Sequence, residues 1–116
     1  MVELKQTANG GYGFKIMYNG KEVGVIECKD FWEGMPYLSL IKIIPEYRGK
    51  GVGARAVGLL EKLLKARGCK ALFTSTQSDE RGQFFYRKTG FKESGCLILE
   101  DTPLSQPMEL FFIKTL

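Results

Sequence analysis

From Tyr12 to Tyr18 the chain alternates, with Tyr12, Phe14, Ile16 and Tyr18 on one side and Gly13, Lys15 and Met17 on the other. A period of two predicts a half-buried strand. Asn19-Gly20 follows as a two-residue hairpin signal, and Glu22 to Cys28, rich in valine and isoleucine, reads as the returning strand. Asp30 to Gly34 is predicted as a turn and Tyr37 to Ile44 as the next strand, completing an antiparallel meander. Ahead of it, Val2 to Lys5 reads as a short edge strand, followed by the loop Asn9-Gly10-Gly11.

At Val52 the period changes. Val52, Ala56, Leu59, Leu60, Leu63 and Leu64 form one helical face, with Arg55, Glu61, Lys62 and Lys65 outside it. Gly68 closes this helix behind basic Lys65 and Arg67. Lys70 to Thr76 is a short buried strand centred on Ala71-Leu72-Phe73. Asp79 is placed as the N-cap of a second helix that runs to about Lys88 and stops at Gly90. Phe91 to Leu99 and Met108 to Lys114 are the last two strands. The class is α/β with a mixed sheet, in the order β-β-β-α-β-α-β-β after the short first strand. Residues 1–116 form a single domain.

The segment joining the meander to the first helix carries the clearest chemistry. Ile43-Ile44-Pro45-Glu46-Tyr47-Arg48-Gly49-Lys50-Gly51-Val52-Gly53 places three glycines at alternate positions between a strand and a helix start, with two cations among them. Glycine lets backbone approach a ligand closely, and a helix N-terminus offers unpaired N–H groups to a phosphate. A nucleotide-triphosphate P-loop does not fit, because Ile44 stands at the first glycine and Gly51 replaces the magnesium-binding hydroxyl. Gly51-Val52-Gly53-Ala54-Arg55-Ala56 satisfies the dinucleotide spacing. It follows a meander rather than a first strand, however, and the next strand ends in Thr74-Ser75-Thr76 without a ribose-binding acid. The remaining pattern, [RQ]-x-x-G-x-[GA], is matched by Arg48, Gly51 and Gly53.

In that position the loop resembles the pyrophosphate loop of the GNAT N-acetyltransferases, which bind acetyl-coenzyme A. A second motif agrees: Phe84-Phe85-Tyr86-Arg87-Lys88-Thr89-Gly90-Phe91 resembles the family's F-Y-x-K-x-G-F segment. The likeness covers about Tyr12 to Leu116 and implies a GNAT fold. It implies acetyl-CoA as co-substrate, held by Ile41, Ile43, Ile44, Arg48, Gly49, Lys50, Gly51, Val52, Gly53, Ala54, Asp79 and Tyr86. It also implies Tyr86 as the general acid beside the coenzyme sulfur, and an amine, small or on a peptide or protein, as acceptor. Backbone N–H groups at the end of the strand reaching Ile43 and Ile44 are the expected oxyanion donors. That strand and Lys70–Thr76 are expected to splay, so that the pantetheine arm inserts and Thr74, Ser75 and Thr76 line a wet opening.

Three departures from the pattern bear on the acceptor. The helix pair that the family usually carries between its first two strands is missing. Asp79 stands where an asparagine is frequent, and Thr74 stands where some members carry a catalytic glutamate. For the base, Glu27 and a chain of water molecules are the candidates. Phe31 and Trp32 in the predicted turn either contact an acceptor or a second subunit, or cap the core. Glu100-Asp101 is a loop able to attract a basic amine. An open site favours a protein acceptor or completion by a homodimer partner. The rival reading is a non-catalytic module of the same fold that holds coenzyme A as a sensor or assembly partner.

Composition narrows this without changing it. Hydrophobic residues make up 44% and charged ones 26%, as in an ordinary globular domain. No apolar run approaches the 18 or more residues of a membrane span, so no membrane partner is expected. A net charge of +4 without a basic block suits an anionic cofactor and gives no reason to expect nucleic acid. The chain has no histidine, which excludes a His-based triad or His-ligated metal, and no metal site is expected. Cys28, Cys69 and Cys96 form no C-x-x-C pair and read as reduced thiols of a cytoplasmic protein, with no motif for an acyl-cysteine route.

Overall fold

The computed structural model describes residues 1–7 and 12–116; the loop expected at Asn9-Gly10-Gly11 lies outside the described residues. The elements are β1 (Val2–Gln6), β2 (Gly13–Tyr18), β3 (Lys21–Trp32), β4 (Met35–Ile43), a 3₁₀ turn (Pro45–Tyr47), α1 (Val52–Ala66), β5 (Ala71–Gln77), α2 (Gly82–Lys88), β6 (Lys92–Leu97) and β7 (Glu109–Thr115). The seven strands form one sheet in the order β1-β2-β3-β4-β5-β7-β6. Among the described residues only β4 and β5 pair in parallel, as the helical crossover between them requires.

The hairpin forms where Asn19 and Gly20 take φ of 49° and 83°, the left-handed values its turn demands. Phe14 and Ile16 are buried between the strands and α1, as their alternation predicts. Helix α1 buries Val52, Ala56, Val57, Leu60 and Leu64, and Gly68 at φ 89° ends it. The β3–β4 ladder approaches closely at Gly24, where an added Cβ would lie 2.2 Å from the Lys42 carbonyl oxygen.

Both helices cover the same face of the sheet. Leu60 and Leu64 of α1 and Tyr86 of α2 share one core with Leu38, Leu72 and Phe112. The opposite face carries no helix among the described residues. Tyr37, Phe73, Ser75, Phe111 and Glu109 stand on it by strand alternation and register. This fits the absence of a helix pair between β1 and β2, which only residues 7–12 separate.

Two elements differ from expectation. β3 runs on to Trp32, so Phe31 and Trp32 are strand residues and the turn contracts to Glu33-Gly34. The cause is an aromatic cluster: Phe31 stacks on Tyr37 and Phe73 at 5.8 and 5.5 Å and tilts onto Phe111 at 6.1 Å. Stacking of this kind extends strand pairing past the charged residues that suggested a turn. Asp79 is not a helix cap. The second helix starts at Gly82 with Arg81 at its N-cap position and no side-chain cap. The Glu80 carboxylate instead folds back to accept from the Gln77 amide at 2.9 Å.

Two outcomes follow from this packing. Gly24→Ala forces β3 and β4 apart and should cost about 1–3 kcal/mol, the usual scale of overpacking, read from urea unfolding. Burial, helped by the neighbouring Cys69 thiol, pushes the Cys28 thiol up to about 12. Because the folded value is raised above the ordinary 9.0, the stability tied to this group is whole below pH 9 and is lost as pH climbs toward 12. Cys28→Ala should therefore flatten the alkaline limb of a stability–pH curve.

Candidate active site

The parallel β4–β5 ladder lasts for two pairs, Tyr37 with Phe73 and Leu38 with Thr74. Immediately afterwards β4 carries an extra residue: Cys28 faces Leu38 and Glu27 faces Leu40, so Ser39 is bulged out of the ladder. A bulge bends its strand. β4 and β5 diverge from this point to Ile43 and Gln77, leaving a wedge between them. At its vertex Thr74 is fully buried and donates from Oγ1 to the Leu38 carbonyl at 3.0 Å. The wet opening expected of the Thr74-Ser75-Thr76 stretch is therefore corrected: Thr74 and Thr76 are buried and bonded, Thr76 to Glu80 at 3.4 Å.

The Ile44 amide donates to Val23 at 2.9 Å, so it is not available as an oxyanion donor; the edge of β4 facing β3 is already paired. Successive strand amides point to opposite edges, which turns those of Ile43 and Ile41 toward the wedge. The chain then turns through Pro45–Tyr47 into the glycine segment. Arg48 ties it down, its Nε donating to the Ile43 carbonyl at 2.8 Å. Lys50 lies over the Tyr47 ring at 5.3 Å. Gly51, at φ 78°, is the N-cap of α1, and its carbonyl receives the first helical bond, from Arg55 at 3.1 Å. The amides of Val52, Gly53 and Ala54 precede that bond and have no intrahelical acceptor.

A cleft of about 600 Å³ opens at this point, lined by Ile43, Arg48, Gly49, Gly51, Val52, Gly53 and Ala54. Its far wall was not legible in the glycine motif: Phe85 of α2 and Thr89 just past its end, with Lys88 and Lys114 adding cations. Lys114 donates to Glu61 of α1 at 3.0 Å and to the Thr89 carbonyl at 2.6 Å, holding the two helices at a fixed separation. Amides at a helix start beside Arg48 and Lys88, with Lys114 paired to Glu61 on the same wall, suit a phosphorylated ligand. Asp79 lies in the turn after β5 and does not line this cleft; Ile41 packs over Gly53, with its Cδ1 3.8 Å from where a Cβ would sit.

Tyr86 sits behind the vertex, buried against Phe85, Phe91 and Phe112. Its hydroxyl neighbours Thr74. Burial raises the phenol above its ordinary value, and Thr74 partly offsets this. The group therefore stays protonated through neutral pH. Glu27 is exposed on β3, its Cγ 4.0 Å from where a Cβ on Gly13 would sit. It stands one strand away from the wedge, opposite Gly13 of β2 and Leu40 of β4. Among the described residues no cluster of acidic residues and cysteines suited to a metal ion occurs, and no helix is long and apolar enough to cross a membrane.

The family model described as Acetyltransferase (GNAT) family matches residues 2–91. Over 85 residues the chain is 28% identical to N-alpha-acetyltransferase 30 of Schizosaccharomyces pombe, covering 69% of this chain and 57% of that one. Over 79 residues it is 29% identical to the [Ribosomal protein bS18]-alanine N-acetyltransferase of Haemophilus influenzae, covering 68% and 53%. The chain thus spans a little over half the length of these curated relatives. The crystal structure of a GNAT family acetyltransferase from Elizabethkingia anophelis with acetyl-CoA bound superposes with a TM-score of 0.77 at 16% identity. It covers 90% of this chain and 75% of that one, a likeness of fold.

Proposed function

The chain belongs to the GNAT acetyltransferase family, and on that premise we propose that it transfers an acetyl group from acetyl-CoA directly to an amine. The observation that carries the reading is the continuity of the β4–β5 wedge with the glycine cleft at the start of α1. A pyrophosphate would rest on the Val52, Gly53 and Ala54 amides, with Arg48, Lys88 and Lys114 around it. The pantetheine arm would run into the wedge and pair with the free edge of β4, placing the thioester near the Ile41 and Ile43 amides. Tyr86 would present its hydroxyl to the departing sulfur and protonate it. The acceptor is an amine, and the relatives' names supply both a protein N-terminus and a ribosomal protein as precedents. Free Cys28, Cys69 and Cys96 support a reducing, cytoplasmic setting.

One observation favours a coenzyme-holding module instead: the vertex residue is Thr74, a buried hydroxyl with no carboxylate to act as base. Thiol release from acetyl-CoA in the presence of an amine and peptide panel separates the two readings. Homodimerisation, the other way to complete the site, is read by sedimentation equilibrium.

Titration calorimetry with acetyl-CoA should give micromolar-range binding, and no heat at millimolar ligand would end the proposal. Gly51→Val places a β-branched residue at φ 78° and should abolish that binding while the fold survives. Arg48→Ala should weaken it less, because the backbone amides supply most contacts.

For Tyr86→Phe, kcat should fall roughly 10²–10³-fold at unchanged coenzyme affinity. Losing a buried hydroxyl costs about 1 kcal/mol whether or not Tyr86 is catalytic, so the melting temperature does not discriminate. Wild-type turnover in this variant would remove Tyr86 from the mechanism.

A further inference from the structure

An acceptor amine is protonated at neutral pH, with a pKa of about 8 for an α-amine and about 10 for a lysine-like one. It attacks only after losing that proton, and the described carboxylates on the cleft side are engaged, Glu61 with Lys114 and Glu80 with the Gln77 amide and Thr76. The uncovered face offers another carboxylate. Ser75 is the first residue of β5 beyond the vertex, and its side chain stands on the face opposite Tyr86. Its hydroxyl donates to the Glu109 carboxylate of β7 at 2.5 Å. Tyr37, from the last stretch of paired β4, hydrogen-bonds the same Ser75 oxygen through its hydroxyl. With the Ser75 proton directed at Glu109, Tyr37 is the donor, so the chain runs from Tyr37 through Ser75 to a terminal carboxylate. Three strands converge on it at the point where the sheet opens.

Beside this chain lies the aromatic cluster. Phe31, 47% exposed, covers Phe73 and Tyr37 and leans on Phe111. Ring faces attract an ammonium ion and accept an apolar skeleton, and a neighbouring carboxylate complements the ion's charge. Resting on the transferase reading above, we propose that Glu109 takes the proton from the acceptor amine, with Ser75 and Tyr37 positioning its carboxylate. The adjoining rings select an amine carried on an apolar or aromatic skeleton. The coenzyme enters from the helix face and the acceptor from the bare face, so the two meet at the vertex.

The protons balance. The ammonium gives one proton to Glu109, directly or by way of Ser75, and the free nitrogen attacks the thioester carbonyl. A C–N bond forms, the C–S bond breaks, and the sulfur takes a proton from Tyr86. The second proton leaving the nitrogen restores the Tyr86 hydroxyl, and Glu109 returns the first to water. The products are the acetamide, free coenzyme A thiol and one solvent proton.

The test uses the full chain, acetyl-CoA and three probes: 2-phenylethylamine, its polar counterpart ethanolamine, and a short peptide with an N-terminal phenylalanine. Glu109→Gln should lower kcat about 10²–10³-fold and keep the calorimetric affinity for acetyl-CoA. Glu109→Asp should recover part of the rate. Ser75→Ala and Tyr37→Phe should lower kcat less at unchanged KM for the amine, and Ser75→Thr should restore the rate, a pattern that a merely structural loss would not give. The aromatic probes should outpace ethanolamine at least tenfold, and Phe31→Ala should narrow the gap. Wild-type turnover in Glu109→Gln overturns the base assignment and leaves the transferase reading standing. Equal rates with 2-phenylethylamine and ethanolamine overturn the selectivity. A wild-type protein that binds acetyl-CoA and acetylates none of the probes overturns this inference, and the absence of binding overturns the reading beneath it.

Discussion

The hydrogen bond from Thr74 to the Leu38 carbonyl marks where this sheet stops being a sheet. Parallel pairing between β4 and β5 covers two residue pairs, and the Ser39 bulge then turns β4 away. An ordinary ladder would bury its amides in cross-strand bonds. Here the bulge leaves one edge of β4 from Leu40 to Ile43 without a strand beside it. An unpaired strand edge is a template for any extended amide-bearing ligand. The buried Thr74 hydroxyl keeps that opening from propagating back into the core, because it satisfies the last carbonyl on the closed side. The glycine turn and the start of α1 follow directly from the diverging end of β4, so the ligand cleft inherits its position from the bulge. Lys114 fixes its width by bonding both Glu61 on α1 and the Thr89 carbonyl that ends α2.

Local signals in the sequence carried most of the frame. Asn19-Gly20 takes the two left-handed conformations that make it a hairpin turn, and Gly51 takes the one that lets a strand run into a helix without a side-chain cap. Both demands act within a few residues and are written in residue type. Features that depend on register were not legible. Ser39 becomes a bulge only once Cys28 and Glu27 are aligned against Leu38 and Leu40. Phe31 and Trp32 sit among Asp30, Glu33 and Gly34, the composition of a turn, yet rings on three other strands hold Phe31 in the sheet. Asp79 has the residue type of a cap, yet the helix starts three residues later at Gly82 with no side-chain cap, while Glu80 reaches back to the Gln77 amide.

The site is divided in the same way. The proposed cofactor cradle was readable because its parts are contiguous: one glycine turn and one helix start supply most of it. Lys88 and Phe85, its far wall, lie on α2 and enter only through the packing of the two helices. Ser75 and Glu109 are 34 residues apart and meet because β7 pairs with β5 in one particular register. A shift of one residue would place Glu109 on the buried face, where an unpaired carboxylate is costly.

The two faces of the sheet therefore divide the chemistry between them. The helix face carries free amides at the start of α1 and a phenol kept protonated by burial; the bare face carries a carboxylate, two hydroxyls and the exposed Phe31 ring with its partners. Each set reaches the vertex from its own side, since residues 74 and 75 point in opposite directions along one strand. A proton donor on one face and a proton acceptor on the other are separated by the backbone itself, which keeps them from neutralising each other before a substrate arrives. A helix pair over the bare face would bury the Phe31 cluster and narrow the approach to Glu109. With only residues 7–12 between β1 and β2, that approach stays wide. Selection of the acceptor then falls on the rings and the carboxylate rather than on an enclosing pocket.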